Sequence, residues 1–150
     1  MTEIDLSAIM KSKSRKMMEK YIELLKNNQI KVTPQRLAII SLMDQYGHIS
    51  VRDIFEKIKT NFPSLSLATV YKNINAMLES DFIKELKIVG QDSKYELIKE
   101  AHSHMICKKC GKVEDIQLET DSLVSSAAKK SHYNINESVV QLFGVCPDCQ

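Results

Sequence analysis

All four cysteines of the chain stand in two matched pairs, Cys107-Lys-Lys-Cys110 and Cys146-Pro-Asp-Cys149. The two-residue gap in each lets two thiolates bind one tetrahedral Zn²⁺. Gly111 follows the first pair, where a tight knuckle needs a residue that tolerates positive φ. One ion shared by both pairs ties residue 107 to residue 149 and encloses a loop long enough for a helix and a strand. Structural Zn²⁺ at neutral pH is worth ~10–16 kcal/mol, more than a domain of this size retains from its own core. A redox role is opposed by the lack of a βαβ pattern around either motif. Four unconnected thiols would leave the matched spacing a coincidence.

The 150 residues suit one fairly large domain or two small ones, and 43% hydrophobic with 27% charged residues is enough to bury a core. No apolar run approaches the ~20 residues of a membrane helix. The opening MTEIDLSAIMKSKSRK lacks the apolar core of a secretory signal. A cytoplasmic location and no membrane partner are therefore expected, and there the thiols stay reduced. The net charge of +2 is unevenly spread. Residues 1–89 carry 14 Lys and Arg against 10 Asp and Glu, while residues 90–150 carry 7 against 9. A basic front half fits a nucleic-acid-binding part as well as it fits a plain soluble surface.

In the front half, RKMMEKYIELLKNN (15–28) has helical apolar spacing and stops at Asn27-Asn28. Thr33-Pro34 reads as an N-cap with proline at the first helical position, opening a helix that Gly47 closes. Ser50 with Asp53 resembles a capping box for a short helix that turns Val51, Ile54, Phe55 and Ile58 inward. After Pro63, Ser66 caps a fourth helix with the apolar stripe Leu67, Val70, Ile74, Met77 and Leu78. Residues 82–89 and 94–98 flank the polar turn 90–93 and predict a β-hairpin. Helices followed by a two-stranded hairpin describe a winged helix-turn-helix, whose last helix enters the DNA major groove. The rear half predicts short strands over 102–116, a helix over 121–131 and a strand over 138–145. The fold class is therefore α+β, with a winged helix over 1–96 and a small α/β dimerisation domain with a four-cysteine zinc site over 97–150.

His102 and His104 share one side of an extended strand, and Cys107 faces the other way. One stretch then serves two metals, with Glu96 or Asp115 available to close on the histidines. The competing reading is a solvated surface pair.

Taken in order, Val32-Thr33-Pro34-Gln35-Arg36, Ser66-Leu67-Ala68-Thr69-Val70-Tyr71-Lys72-Asn73, His102-x-His104-x-x-Cys107-x-x-Cys110-Gly111-Lys112 and Gly144-Val145-Cys146-x-x-Cys149 resemble the ferric uptake regulator superfamily of metal-dependent bacterial repressors. The resemblance runs from about Tyr21 to Cys149. It implies a homodimer with structural zinc on Cys107, Cys110, Cys146 and Cys149. It also implies a regulatory Fe²⁺ or Mn²⁺ site on His48, Glu96, His102, His104 and Asp115. His48 enters only through this resemblance, because a lone histidine after a glycine otherwise reads as a loop residue. Nitrogen and carboxylate donors without thiolate suit Fe²⁺ or Mn²⁺. Contacts to double-stranded operator DNA are implied for Lys31, Arg36, Thr69, Tyr71 and Lys72. Tyr71 suits a thymine methyl and Lys72 a phosphate or guanine; the other reading of Tyr71 is packing against the wing.

Where many iron sensors of the superfamily have an acid between the histidines and a histidine before the last cysteine pair, this chain has Ser103 and Ser138. A basic arm of Lys11, Lys13, Arg15, Lys16 and Lys20 is longer than usual and extends the phosphate contacts or frays as a solvated helix. Asp115 stands where iron sensors usually have glutamate and peroxide-responsive repressors have aspartate, whereas Glu96 stands where the latter more often have aspartate. The chain thus most resembles the peroxide-responsive branch, and the expectation is a metal-dependent transcriptional repressor that senses peroxide. The alternatives are an iron-responsive regulator, a member sensing zinc or another metal, and a mononuclear metal enzyme. No general base or substrate pocket for an organic small molecule is evident, so an enzyme is not expected.

Overall fold

The computed structural model describes residues 15–150, so Lys11 and Lys13 of the basic arm lie outside the described residues. These fall into two compact units, the first closing at Ile98 and the second spanning Lys99–Gln150.

In the first unit α1 (Arg15–Asn27) turns Tyr21 and Leu25 into the core, and Gln29 takes a left-handed φ of 57° just beyond its end. At α2 (Pro34–Tyr46) the Thr33 side chain accepts the Arg36 N–H at 3.3 Å, which satisfies one of the orphan donors of the first turn. The helix ends on Gly47 at φ 71°, a conformation that favours glycine. Ser50 caps α3 (Val51–Ile58): its Oγ accepts the Asp53 N–H at 3.1 Å and donates to the Asp53 carboxylate at 2.8 Å. The box therefore closes hydroxyl to carboxylate. Val51, Ile54 and Ile58 are buried and Phe55 is partly so.

Ser66 caps α4 (Leu67–Glu79) through the Thr69 N–H at 3.2 Å. Val70, Ile74 and Met77 are buried and Leu78 is partly buried, as the stripe predicts. Leu67 departs from it at 40% exposed. As the first helical residue it lies past the edge of the core and lines a cleft of about 210 Å³ with Tyr71 and Tyr95. The polar residue Asn73 is buried on the inner face instead, 8% exposed. Its amide is engaged at both ends: Nδ2 donates to the Thr69 carbonyl at 3.0 Å, and Oδ1 accepts from Arg36 Nε at 3.0 Å. Asn73→Ala is expected to destabilise the first unit by about 1–3 kcal/mol, because it deprives the half-buried Arg36 Nε of its acceptor. A lower urea midpoint at unchanged m-value would show it.

The wing differs from the predicted two-stranded hairpin. β2 (Ile83–Leu86) and β3 (Lys94–Leu97) pair antiparallel from Ile83↔Leu97 to Leu86↔Lys94, and β1 (Ile49–Ser50) adds to the free side of β3, giving a three-stranded sheet in the order β1-β3-β2. β1 is too short to show an alternating pattern, and both its residues are buried. The strand predicted over 82–89 stops at Leu86. Ile88 is buried and Val89 exposed within the longer connection.

In the second unit β4 (Ser103–Cys107) is the central strand, antiparallel to β5 (Val113–Ile116) and parallel to β6 (Gln141–Gly144). A parallel partner needs a crossover, which β5 and α5 (Asp121–Ser131) supply between β4 and β6. The strand predicted over 138–145 is confined to 141–144. Ile106 and Cys107 are the only buried apolar side chains among the described residues of this unit, while Leu118, Leu123, Val139, Leu142 and Phe143 are exposed. Among the described residues no helix is long and apolar enough to cross a membrane.

Candidate metal centres and nucleic-acid interface

Register brings the two cysteine pairs together. β4 ends on Cys107 opposite Gly144 of β6, which places Cys146 and the short 3₁₀ turn Pro147–Cys149 against the first knuckle. Gly111 makes the knuckle turn at φ 74°. One Sγ from each of Cys107, Cys110, Cys146 and Cys149 lies within 4.8 Å of the others. The Cys110 and Cys146 sulfurs are 3.8 Å apart, far beyond a disulfide and close to the edge of a tetrahedron with ~2.3 Å Zn–S bonds. Backbone N–H groups of Cys146 and Cys110 donate to Cys107 Sγ at 3.4 and 3.5 Å. These N–H donors hold the Cys107 thiol down at about 6. Hydrogen bonding to the neighbouring Cys146 and Cys110 thiols pushes Cys149 up to about 12, and desolvation raises Cys146. The backbone thus favours the Cys107 thiolate, and gathering further thiolates beside it needs a cation among them. The all-sulfur donor set and its spacing fit Zn²⁺.

The nitrogen and oxygen donors divide between the units. In the first, β1 pairing with β3 brings His48, next to Ile49, close to Glu96, and Nε2 lies 3.1 Å from Oε2 with both side chains buried. This strand pairing is why His48 is illegible in isolation. In the second unit His104 stands opposite Asp115 in the β4–β5 register, and His102 lies just before β4. Asp115 Oδ1 is 3.4 Å from His102 Nε2 and 3.8 Å from His104 Nε2, and the two rings meet edge to face with centroids 4.6 Å apart. These separations exceed a normal hydrogen bond and leave three donors converging without thiolate, a set suited to Fe²⁺ or Mn²⁺. His102 Nδ1 lies 2.7 Å from the Glu100 carbonyl, which can only accept, so Nε2 is the nitrogen left for an ion. Glu114 turns away to Lys112 at 2.8 Å, as alternation along β5 requires. Lys99 pairs with Asp115 Oδ2. No pattern in the sequence singles Lys99 out.

On the first unit the outer face of α4 presents Ala68, Tyr71 and Lys72, with Thr69 half-buried. Tyr71 is 47% exposed at the edge of the cleft that Ser93 and Tyr95 also line, so it combines an accessible face with a wing contact. Lys31 is exposed. Arg36 is engaged internally: besides Asn73, its Nη1 donates to the Lys31 carbonyl at 2.7 Å. It ties the start of α2 to α4 and to the segment that carries Lys31. A buried asparagine on an apolar stripe is the sequence signal that points to this bond.

A model of the ferric uptake regulator family matches residues 27–143, ending just before the second cysteine pair. The peroxide operon regulator of Bacillus subtilis is 32% identical over 130 residues, or 85% of this chain and 90% of that protein. Among solved structures, the Campylobacter jejuni peroxide stress regulator is similar at 32% identity with a TM-score of 0.66, covering 85% of this chain and 98% of its own. The ferric uptake regulator of Vibrio cholerae is similar at 26% identity with a TM-score of 0.71, covering 83% and 98%. The family match spans most of the chain and meets a winged helix joined to metal-ligating clusters: the chain belongs to the ferric uptake regulator family, as a metal-responsive transcriptional regulator and not an enzyme.

Proposed function

We propose that this regulator is a DNA-binding repressor that senses peroxide through a regulatory Fe²⁺ or Mn²⁺ ion held by His48, Glu96, His102, His104 and Asp115. Zn²⁺ on the cysteine quartet acts as scaffold. The observation that carries the reading is the short carboxylate of Asp115 directly across the ladder from His104, aimed with one oxygen at both imidazoles. A carboxylate that reaches the ion through one oxygen leaves room for a further small ligand. The names of the Bacillus subtilis and Campylobacter jejuni relatives support the same signal. Iron sensing is the second reading; Glu96 and the likeness to the Vibrio cholerae protein favour it.

The regulatory ion selects the DNA-binding arrangement by its differential affinity. Lys31, Thr69, Tyr71 and Lys72 make the DNA contacts, and Arg36 holds two of those elements in register. The partner is a second copy. The second unit exposes Leu123 at 64% with Val139, Leu142 and Phe143 and has almost no core of its own, so it needs a self-complementary apolar interface. Reduced thiols fit the cytoplasm.

Held by His48, Glu96, His102, His104 and Asp115, Fe²⁺ would supply reducing power toward peroxide that Mn²⁺ would not readily supply. The residues' part is to hold imidazole carbon within reach. Treatment with low peroxide is expected to add one oxygen to the His48 or His102 peptide of Fe²⁺-loaded protein only, with loss of operator binding. Peptide mass spectrometry reads this. Unmodified histidines, or oxidation confined to the cysteines, would give precedence to iron sensing.

A further inference from the structure

Asp115 is shared between two kinds of partner. Its Oδ1 faces His102 and His104, while its Oδ2 is taken by the ammonium of Lys99. Lys99 sits three residues before His102, on the stretch that leads into β4, so the main chain that positions the imidazole also positions the cation. We propose that Lys99 is a positioning residue of the regulatory site: by occupying Oδ2 it keeps Asp115 one-oxygen in its approach to the ion and so keeps a ligand position open. The proposal rests on the regulatory-site reading above and names the residue that sets its reactivity.

The case is one of geometry and charge. A carboxylate grips a divalent ion through both oxygens only if both lone-pair sets turn toward it. Here the second oxygen already receives a charge-assisted N–H···O bond. Swinging Oδ2 onto the ion requires breaking that bond and bringing the ion's charge nearer an ammonium group. The pair is partly exposed, with the Lys99 side chain at 40%, so its effect is modest and is screened by solvent. A modest bias suffices, because it acts between two carboxylate geometries that differ by a small rotation about the Cβ–Cγ bond. Glu114, the adjacent acid, is held by Lys112 on the other side of β5 and does not fill the position.

The test uses full-length, zinc-loaded protein with Lys99→Met and Lys99→Arg, and Mn²⁺ alone as the probe. In Lys99→Met, Oδ2 loses this ammonium, and Mn²⁺ affinity by calorimetry is expected to rise about two- to five-fold, the range that a partly exposed ion pair commands. The tightening should persist at high salt, which removes a through-space charge effect and leaves a change of denticity. At saturating Fe²⁺ the same variant should add oxygen to its histidine peptides several-fold more slowly, and Lys99→Arg should behave as wild type. Mn²⁺ affinity that is unchanged or weaker in Lys99→Met overturns the proposal. So does a tightening that disappears at high salt with histidine oxidation unaltered. Wild-type protein that binds no second divalent ion beside zinc overturns the regulatory-site reading itself, and this proposal with it.

Discussion

Cys107→Ser and Cys146→Ser are each expected to release zinc and to cost the protein its second unit and its dimer together. The reason is the imbalance between metal and core. Structural Zn²⁺ at such sites contributes ~10–16 kcal/mol at neutral pH, while Ile106 and Cys107 are the only buried apolar side chains among the described residues of the second unit. A unit this small without a sizeable core depends on a staple. Cys107 is also the sulfur that receives both N–H donors, so serine there removes a thiolate that the backbone helps to stabilise. Cys146 joins the β6 end to the knuckle, and its loss frees the loop that carries α5. Metal analysis should give zinc near zero, sedimentation should give monomer, and far-UV circular dichroism should lose the strand contribution of β4 to β6. The first unit keeps its own core of Leu25, Ile39, Ile54, Val70 and Ile74 and should retain a cooperative melt. A stable zinc-free dimer of either variant would refute the assignment.

What was legible in the sequence follows from how local each determinant is. Thr33, Ser50 and Ser66 cap their helices because a cap needs only residues three apart. The cysteine pairs announce one tetrahedral site because each half is a four-residue signature. His102, His104 and Asp115 were visible as strand positions, and antiparallel pairing then sets His104 against Asp115. His48 was not legible in this way. It reaches Glu96 only through the two-residue β1, whose pairing with β3 spans a long stretch of chain and leaves no periodic trace. Leu67 fits a helical stripe by angle and still lies outside the core, since periodicity says which side a residue faces but not where the core ends. Arg36 shows a limit of another kind. The resemblance implies a DNA contact for its basic side chain, whereas its bonds to Asn73 and to the Lys31 carbonyl arise only in the fold. The partner of Lys99 depends on the rotamers of two partly exposed side chains, which no sequence pattern encodes.

The histidines proposed as regulatory ligands carry the other large effect. His102→Ala and His104→Ala are each expected to leave zinc content and dimer intact while removing Mn²⁺- or Fe²⁺-dependent operator binding. Both imidazoles offer Nε2 to the same oxygen of Asp115, so deleting either removes a nitrogen donor from a three-donor cluster. The cysteine quartet shares no residue with that cluster and offers four sulfurs of its own. For an ion acting as a selector between two arrangements, the shift it produces equals its differential affinity for them. Allosteric couplings run about 1–3 kcal/mol, so removing the ligand set should lower operator affinity in Mn²⁺ by about 5–150-fold, to the metal-free level. His102→Ala is the cleaner variant, because His102 lies outside the strand. His104 is buried within β4, and its variant needs a parallel thermal melt. Gel-shift titrations with and without Mn²⁺, at fixed ionic strength because phosphate contacts are salt-dependent, decide the matter. If both variants keep the wild-type response to Mn²⁺, these histidines do not hold the regulatory ion and it sits elsewhere.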